Sequence, residues 1–295
     1  KSFDMGTIGK DKIIVILGPT ASGKSELAVE LAKEFNGEVV SADSRQVYIG
    51  MDIGSGKITK KEMSCIPHHM LSIASPKRNF SAGQYQKKAE KTINKIIKNN
   101  KLPIICGGSN FYINTITKGL VMPDTKPNYK LRNELNKLDI KKLYQILKKI
   151  DPLRAKNIDQ NNPRRLIRAI EVAPSAPLKE NPKYDCLKLA IKKDNLDILI
   201  KKRLDKRIKL GMIKEVKHLK NSGLSWSRIE SFGLEYKWIA IYLQNKISKE
   251  EMLNNIFKSS MKLAKNQNSW LNKEKDIYWI RNKKEAKKLI EEFLN

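Results

Sequence analysis

The sequence predicts an α/β fold, a parallel sheet flanked by helices and interrupted by a helical insertion domain. Three observations carry this. Short apolar runs bounded by turn residues (KIIVIL, EVVSAD and LPIICGG) alternate with segments of helical periodicity, the pattern of β-α-β units. These runs end at Gly18, Asp43 and Gly107, and in such sheets ligands gather beyond the carboxyl ends of the strands. After about residue 122 clear strands cease, and helical repeats rich in Lys and Arg take over.

In chain order, residues 12–17 form a short buried strand between turn residues. Residues 25–35 are helical, with Leu27, Ala28, Leu31 and Ala32 on one face, and Gly37 is expected to cap the helix. A second strand spans 38–43, a helix 84–99 and a third strand 102–108. Residues 124–128 read as a polar linker. LRNELNKL, IKKLYQILKKI and NPRRLIRAIEV then predict helices, the second with Leu143, Ile146, Leu147 and Ile150 in register. Residues 173–182 read as a connection, 186–193 as a strand returning to the sheet, and helices dominate from 197. The implied organisation is a leader at 1–11, the first part of the core at 12–122, the insertion at 123–184, and core completion with C-terminal helices at 185–295. No internal repeat or long heptad run occurs.

Composition narrows the function classes. The 295 residues hold 59 Lys plus Arg against 31 Asp plus Glu, a formal net charge of +28, which suits a polyanionic partner such as nucleic acid. No run of eighteen apolar residues is present, so a membrane span is not expected. Cys65, Cys106 and Cys186 are odd in number and far apart, which argues for a reducing compartment rather than a disulfide framework. Cys65, His68 and His69 lack the second ligand pair that a structural zinc site needs.

The chemistry starts at GPTASGKS, residues 18–25, where a strand precedes and a helix follows. Glycines let backbone amides approach phosphate oxygens, the helix N-terminus adds its dipole, Lys24 supplies a point charge and Ser25 can hold magnesium. The fold class is therefore P-loop NTPase-like. An ATP-consuming enzyme of this class places an aspartate after a later apolar strand; here that strand ends IICGGSNFY, and the nearest carboxylate is Asp43. Asp43 suits either steering a metal or accepting a proton from a nucleophile. On these residues alone a small-molecule or nucleotide kinase and a non-catalytic, ATP-binding protein both stay open.

Several segments together decide further. GPTASGKS, SADSRQVYIGMDIGSGK, IPHH, FSAGQYQ, GGSNFYI and NNPRRLIRAIEV stand in the order and spacing of the bacterial tRNA dimethylallyltransferases, also called tRNA isopentenyltransferases, which the chain resembles over about residues 12–270. The resemblance implies transfer of a dimethylallyl group from dimethylallyl diphosphate to the N6 amine of the adenosine 3′ to the anticodon. It implies that Gly18, Pro19, Thr20, Ala21, Ser22, Gly23, Lys24 and Ser25 hold the diphosphate, with Mg2+ on Ser25. Asp43 is then the base for the amine, with Lys24 and Ser25 aiding departure of the diphosphate, and Gln46 meets the adenine edge. It also implies tRNA contacts from Asp43, Ser44, Arg45, Gln46, Ser109, Arg132, Asn162, Pro163, Arg164, Arg165, Leu166, Lys265, Gln267 and Trp270. A cytoplasmic monomer without membrane contact or obligate protein partner completes the expectation; an isopentenyltransferase acting on free adenine nucleotides is the rival within this chemistry.

Overall fold

A computed structural model of the protein describes residues 10–123, 125, 127–173 and 179–295. The expected leader up to residue 9, parts of the linker at 124–128 and of the connection at 173–182 lie outside the described residues. The strands are β1 (Lys12–Leu17), β2 (Gly37–Ala42), β3 (His68–His69), β4 (Leu102–Gly107), β5 (Leu120–Val121), β6 (Lys179–Glu180), β7 (Asp185–Ile191) and β8 (Tyr278–Ile280). Two compact units result: residues 120–181, and the remainder of the chain.

The larger unit is built on a six-stranded sheet of order β3-β2-β4-β1-β7-β8, every neighbouring pair parallel. Its two central strands, β1 and β4, are almost wholly apolar because helices cover both faces. The strand period of two sorts their side chains. Ile13, Val15, Leu17, Val40 and Ile105 face the helix Ala82–Lys98, through Tyr85, Ala89, Ile93 and Ile96. Ile14, Ile16, Val39 and Ile104 face the opposite layer, made by the helices Lys24–Glu34 and Lys283–Leu294. Each such side chain, fully buried, stabilises the fold by about 1.5–3 kcal/mol.

Several expectations need correction. Gly37 is the first residue of β2 rather than a helix cap; the reversal falls on Asn36 at φ 48, and a Cβ on Gly37 would meet the Leu102 carbonyl at 2.8 Å. The helix expected from residue 84 begins at Ala82, because Ser81 and Gln84 form a reciprocal capping box. β8 lies inside the stretch expected to be helical; Leu189, Ala190 and Ile191 pair there with Tyr278, Trp279 and Ile280.

The smaller unit packs the helices Tyr129–Leu135, Ile140–Ile150, Pro152–Asn157 and Pro163–Val172 around Leu135, Leu143, Leu147, Ala155, Leu166 and Ile170. Of the register expected for the second helix, Leu143 and Leu147 are buried but Ile150 is 49% exposed. The antiparallel pair β5–β6, with Leu120 opposite Glu180, also belongs to this unit, although no strand was expected there. Glu171 ties the unit together. Its carboxylate accepts from the Asn128 amide (2.7 Å), from Arg132 Nε and a terminal nitrogen (2.9 and 2.7 Å), and from Arg168. Burial pushes this carboxyl up, but the hydrogen bonds from Arg132 and Arg168 outweigh it and hold it down at about 2.

Candidate active site

The strand ends converge, within the larger unit, on a cavity of about 710 Å³ lined by Thr20 to Ser25, Asp43, Gln46, Gly56 and Arg203, among others. The loop that follows β1 owes its shape to positive φ at Gly18 (151), Ala21 (64) and Gly23 (90). Gly18 has no Cβ to obstruct the Ser22 hydroxyl, which would lie 2.8 Å from one, and beside Gly23 the space is open. Ser22 is only 4% exposed, and its Oγ finds no hydrogen-bond partner among the described residues. A buried hydroxyl without a partner is costly unless a ligand supplies one.

Three long side chains brace this loop. Gln267 accepts from the Thr20 amide through Oε1 (2.8 Å) and donates through Nε2 to the Gly108 carbonyl (3.0 Å). Lys24 Nζ donates to the Pro19 carbonyl at 2.6 Å. Arg203, from the helix Leu196–Lys209, donates to Thr20 Oγ1 at 3.2 Å. Burial lowers the Lys24 ammonium to about 8, with Arg203 adding to the shift. Burial, together with Arg207, lowers Arg203 to about 10, so both stay predominantly cationic at neutral pH. Two cations held partly out of water on the wall of one cavity make a site suited to a compact anion.

Asp43 stands one residue past β2. Its Oδ1 accepts from the amides of Arg45 (2.7 Å) and Gln46 (3.3 Å), a turn that fixes the side chain, while Oδ2 has no hydrogen-bond donor among the described residues. Gln46 is held at both ends: Ser41 Oγ donates to its Oε1 (3.1 Å), and its Nε2 donates to the Gly56 carbonyl (3.2 Å). Each end still has one hydrogen-bonding position left. Arg45 donates to the Phe232 carbonyl (2.5 Å), and Ser109 Oγ accepts from the Ser44 amide (2.9 Å). Gly107 permits the close approach of β2 and β4 here, since a Cβ would sit 2.2 Å from the Ala42 carbonyl. Cys106, which also lines the cavity, has its thiol pushed up to about 11 by burial, against the opposing pull of Lys24 and Ser25. Among the described residues, no group of three or more His, Cys, Asp or Glu could hold a metal, so Cys65, His68 and His69 do not form a centre.

The expected residues therefore fall into different places. Residues 18–25, Asp43, Arg45, Gln46 and Gln267 come together; Ser109 joins them through Ser44. Gln267 braces the loop with one hydrogen bond at each end of its amide and also lines the cavity. Leu166 is fully buried in the core of the smaller unit and cannot touch RNA. Asn162 caps the helix Pro163–Val172, with Pro163 in its first turn, while Arg164 and Arg165 are exposed. Arg132 is ion-paired with Glu171, Lys265 is exposed, and Trp270 packs against the core. Missed by the sequence reading were Arg203, Arg207 and Glu235, the last two joined by a 2.7 Å ion pair. Their signal was the four-residue spacing of the arginines in KKRLDKR, which puts both on one helix face.

Comparison with known proteins places the chain in a family. Residues 46–274 match the family model described as IPP transferase. The tRNA dimethylallyltransferase of Caldanaerobacter subterraneus subsp. tengcongensis is 40% identical over 91% of each chain, and that of a Thermoanaerobacter species 39% identical over 96% of this chain and 97% of the relative. The crystal structure of the tRNA isopentenylpyrophosphate transferase of Bacillus halodurans superposes with a TM-score of 0.71 at 33% identity, covering 96% of this chain and 94% of that one. A eukaryotic dimethylallyltransferase, solved as it acts on tRNA, gives 0.78 at 27% identity over 92% of this chain and 74% of its own.

Proposed function

The chain belongs to the IPP transferase family, and from that premise we propose that it transfers the dimethylallyl group of dimethylallyl diphosphate to N6 of the adenosine 3′ to the anticodon in tRNA. The observation that carries this reading is the cavity at the strand ends, whose wall brings together Lys24, Arg203 and Ser22, a serine with a buried, unpartnered hydroxyl. It supports a diphosphate on the loop, with Thr20, the loop amides and the two cations as its donors. A diphosphate leaves more readily when preorganised donors meet its developing charge.

In the reaction the N6 lone pair forms a bond to C1 of the dimethylallyl group as the C1–O bond breaks, and that electron pair departs on the diphosphate. Asp43 Oδ2 takes the amine proton, since Oδ1 is engaged by two backbone amides. The positions left on the Gln46 amide suit the adenine edge, a carbonyl facing N6–H and an N–H facing a ring nitrogen. The adenosine must leave its stack to reach this pocket. Arg164 and Arg165 in the smaller unit suit the RNA backbone. The oxygen-only donor set fits magnesium, a hard ion that binds through few protein groups and substrate phosphates: Ser25 would hold it, and when bound it neutralises diphosphate charge. No helix among the described residues is long and apolar enough to cross a membrane, and three free cysteines support a cytoplasmic setting.

The test is incubation with unmodified tRNA, free adenosine monophosphate, magnesium and labelled dimethylallyl diphosphate. Label should enter the tRNA; label entering free adenine nucleotides instead would overturn the choice of acceptor.

A further inference from the structure

Residues 51–57 form a loop with two working sides. On one side three consecutive backbone amides point at a single carboxylate. Glu215, in the first turn of the helix Met212–Asn221, accepts from the Asp52 and Ile53 amides through Oε2 (2.9 and 2.6 Å) and from the Gly54 amide through Oε1 (3.0 Å). The same Oε1 accepts from the Tyr236 hydroxyl at 2.8 Å. Successive amides converging on an anion form a nest, here filled by the protein's own carboxylate through charge-assisted bonds, which are the stronger kind. Packing closes this side: a Cβ on Gly54 would lie 2.7 Å from the Tyr236 ring.

The other side faces the cavity, which Glu215 itself does not line. There the Gly54 carbonyl accepts from Arg207 (3.2 Å), and the Gly56 carbonyl from Arg203 (3.4 Å) and from Gln46 Nε2 (3.2 Å). A Cβ on Gly56 would fall 1.8 Å from Arg207, so only a glycine lets the guanidinium groups come this close to the loop. Where the loop stands therefore sets the Nε2 end of the Gln46 amide, while Ser41 holds the Oε1 end.

We infer that Glu215 is a positioning residue for the acceptor base: by clamping three amides of the 51–57 loop it sets the Gly56 carbonyl, and through it the Gln46 amide that meets adenine. This rests on the reading of Gln46 given above. A glutamine at 215 would offer one acceptor oxygen in place of two and turn an NH2 toward the amides, so the loop would lose its register without losing side-chain volume.

The test is a double-mutant cycle on transfer to unmodified tRNA, combining Glu215→Gln with Gln46→Ala. Glu215→Gln alone should lower kcat/KM for tRNA about tenfold, with KM for tRNA rising more than KM for dimethylallyl diphosphate. In the Gln46→Ala background the same change should cost less than about threefold, because residues acting through one another are not additive. A merely structural role predicts equal losses in both backgrounds, and that result overturns the inference. Should Glu215→Gln fail to fold, Glu215→Asp, which keeps the charge on a shorter arm, replaces it in the cycle; a smaller loss that vanishes beside Gln46→Ala supports the inference, and additivity overturns it. A Gln46→Ala variant as active as the parent overturns both this inference and the acceptor reading beneath it, whereas additive losses with an impaired Gln46→Ala overturn the inference alone.

Discussion

Lys24 allows the phosphate loop to be tested by titration. Burial, with Arg203 beside it, lowers its ammonium from 10.5 to about 8. The charge is thus present below that pH and lost above it. For a group of this pKa, about nine-tenths is charged at pH 7 and about one-tenth at pH 9. If the charged form holds the diphosphate, the apparent dissociation constant scales inversely with that fraction and rises about tenfold across the window. Arg203, at about 10, keeps most of its charge there, and the last ionisation of a phosphate ester, near pH 6, is largely complete, so an esterified diphosphate keeps its charge across the window. Calorimetric titration of dimethylallyl diphosphate, an esterified diphosphate, at pH 7, 8 and 9 without tRNA, magnesium held constant, measures this directly. Lys24→Met should bind more weakly at pH 7 and lose the dependence. Constant affinity in the parent protein, or the same tenfold change in Lys24→Met, would refute the reasoning.

Asp43→Ala should lower transfer by about a hundredfold to ten-thousandfold, the range for loss of a general base, while tRNA binding in a filter assay stays nearly unchanged; transfer at the parent rate would remove Asp43 from that role. Neutralising Arg164 and Arg165 should weaken tRNA binding and flatten the plot of log affinity against log salt by about 0.7–0.9 per lost charge, and an unaltered slope would mean that neither touches the backbone. Glu171 sets an acid limit. Its carboxyl is depressed from 4.5 to about 2, so its contribution is complete above 4.5 and disappears as pH falls through about 2. The shift corresponds to about 3 kcal/mol. Glu171→Gln should accordingly show a shallower loss of denaturant resistance between pH 5 and pH 2 than the parent, and parallel losses would contradict the assignment.

The parts of the site written in contiguous residues were legible in advance. KIIVIL, the glycine loop and the helix after it follow from local steric and periodic rules, and so does the placing of Asp43 at a strand end. What the sequence hid is non-local. Thr20 and Arg203 stand 183 positions apart and Thr20 and Gln267 stand 247 apart, yet they share hydrogen bonds. In a chain with 59 Lys and Arg, no single arginine on a basic helix stands out. Leu166 was misread for a related reason: a motif fixes where a residue lies along the chain, but burial decides which way it faces. Glu215 gave no signal, because an acid four residues after a glycine is ordinary surface chemistry until three amides are found pointing at it. β5, β6 and β8 are two or three residues long, too short for any alternation to register.

Whether the loop grips a departing diphosphate or the terminal phosphates of ATP can be decided by one stoichiometric measurement. Protein, unmodified tRNA, magnesium, dimethylallyl diphosphate and ATP are incubated together, with pyrophosphate release, ATP consumption and the nucleosides of digested tRNA followed in parallel. The account predicts one pyrophosphate for each N6-dimethylallyladenosine found 3′ to the anticodon, with ATP untouched. ATP consumed while that adenosine stays unmodified would contradict it.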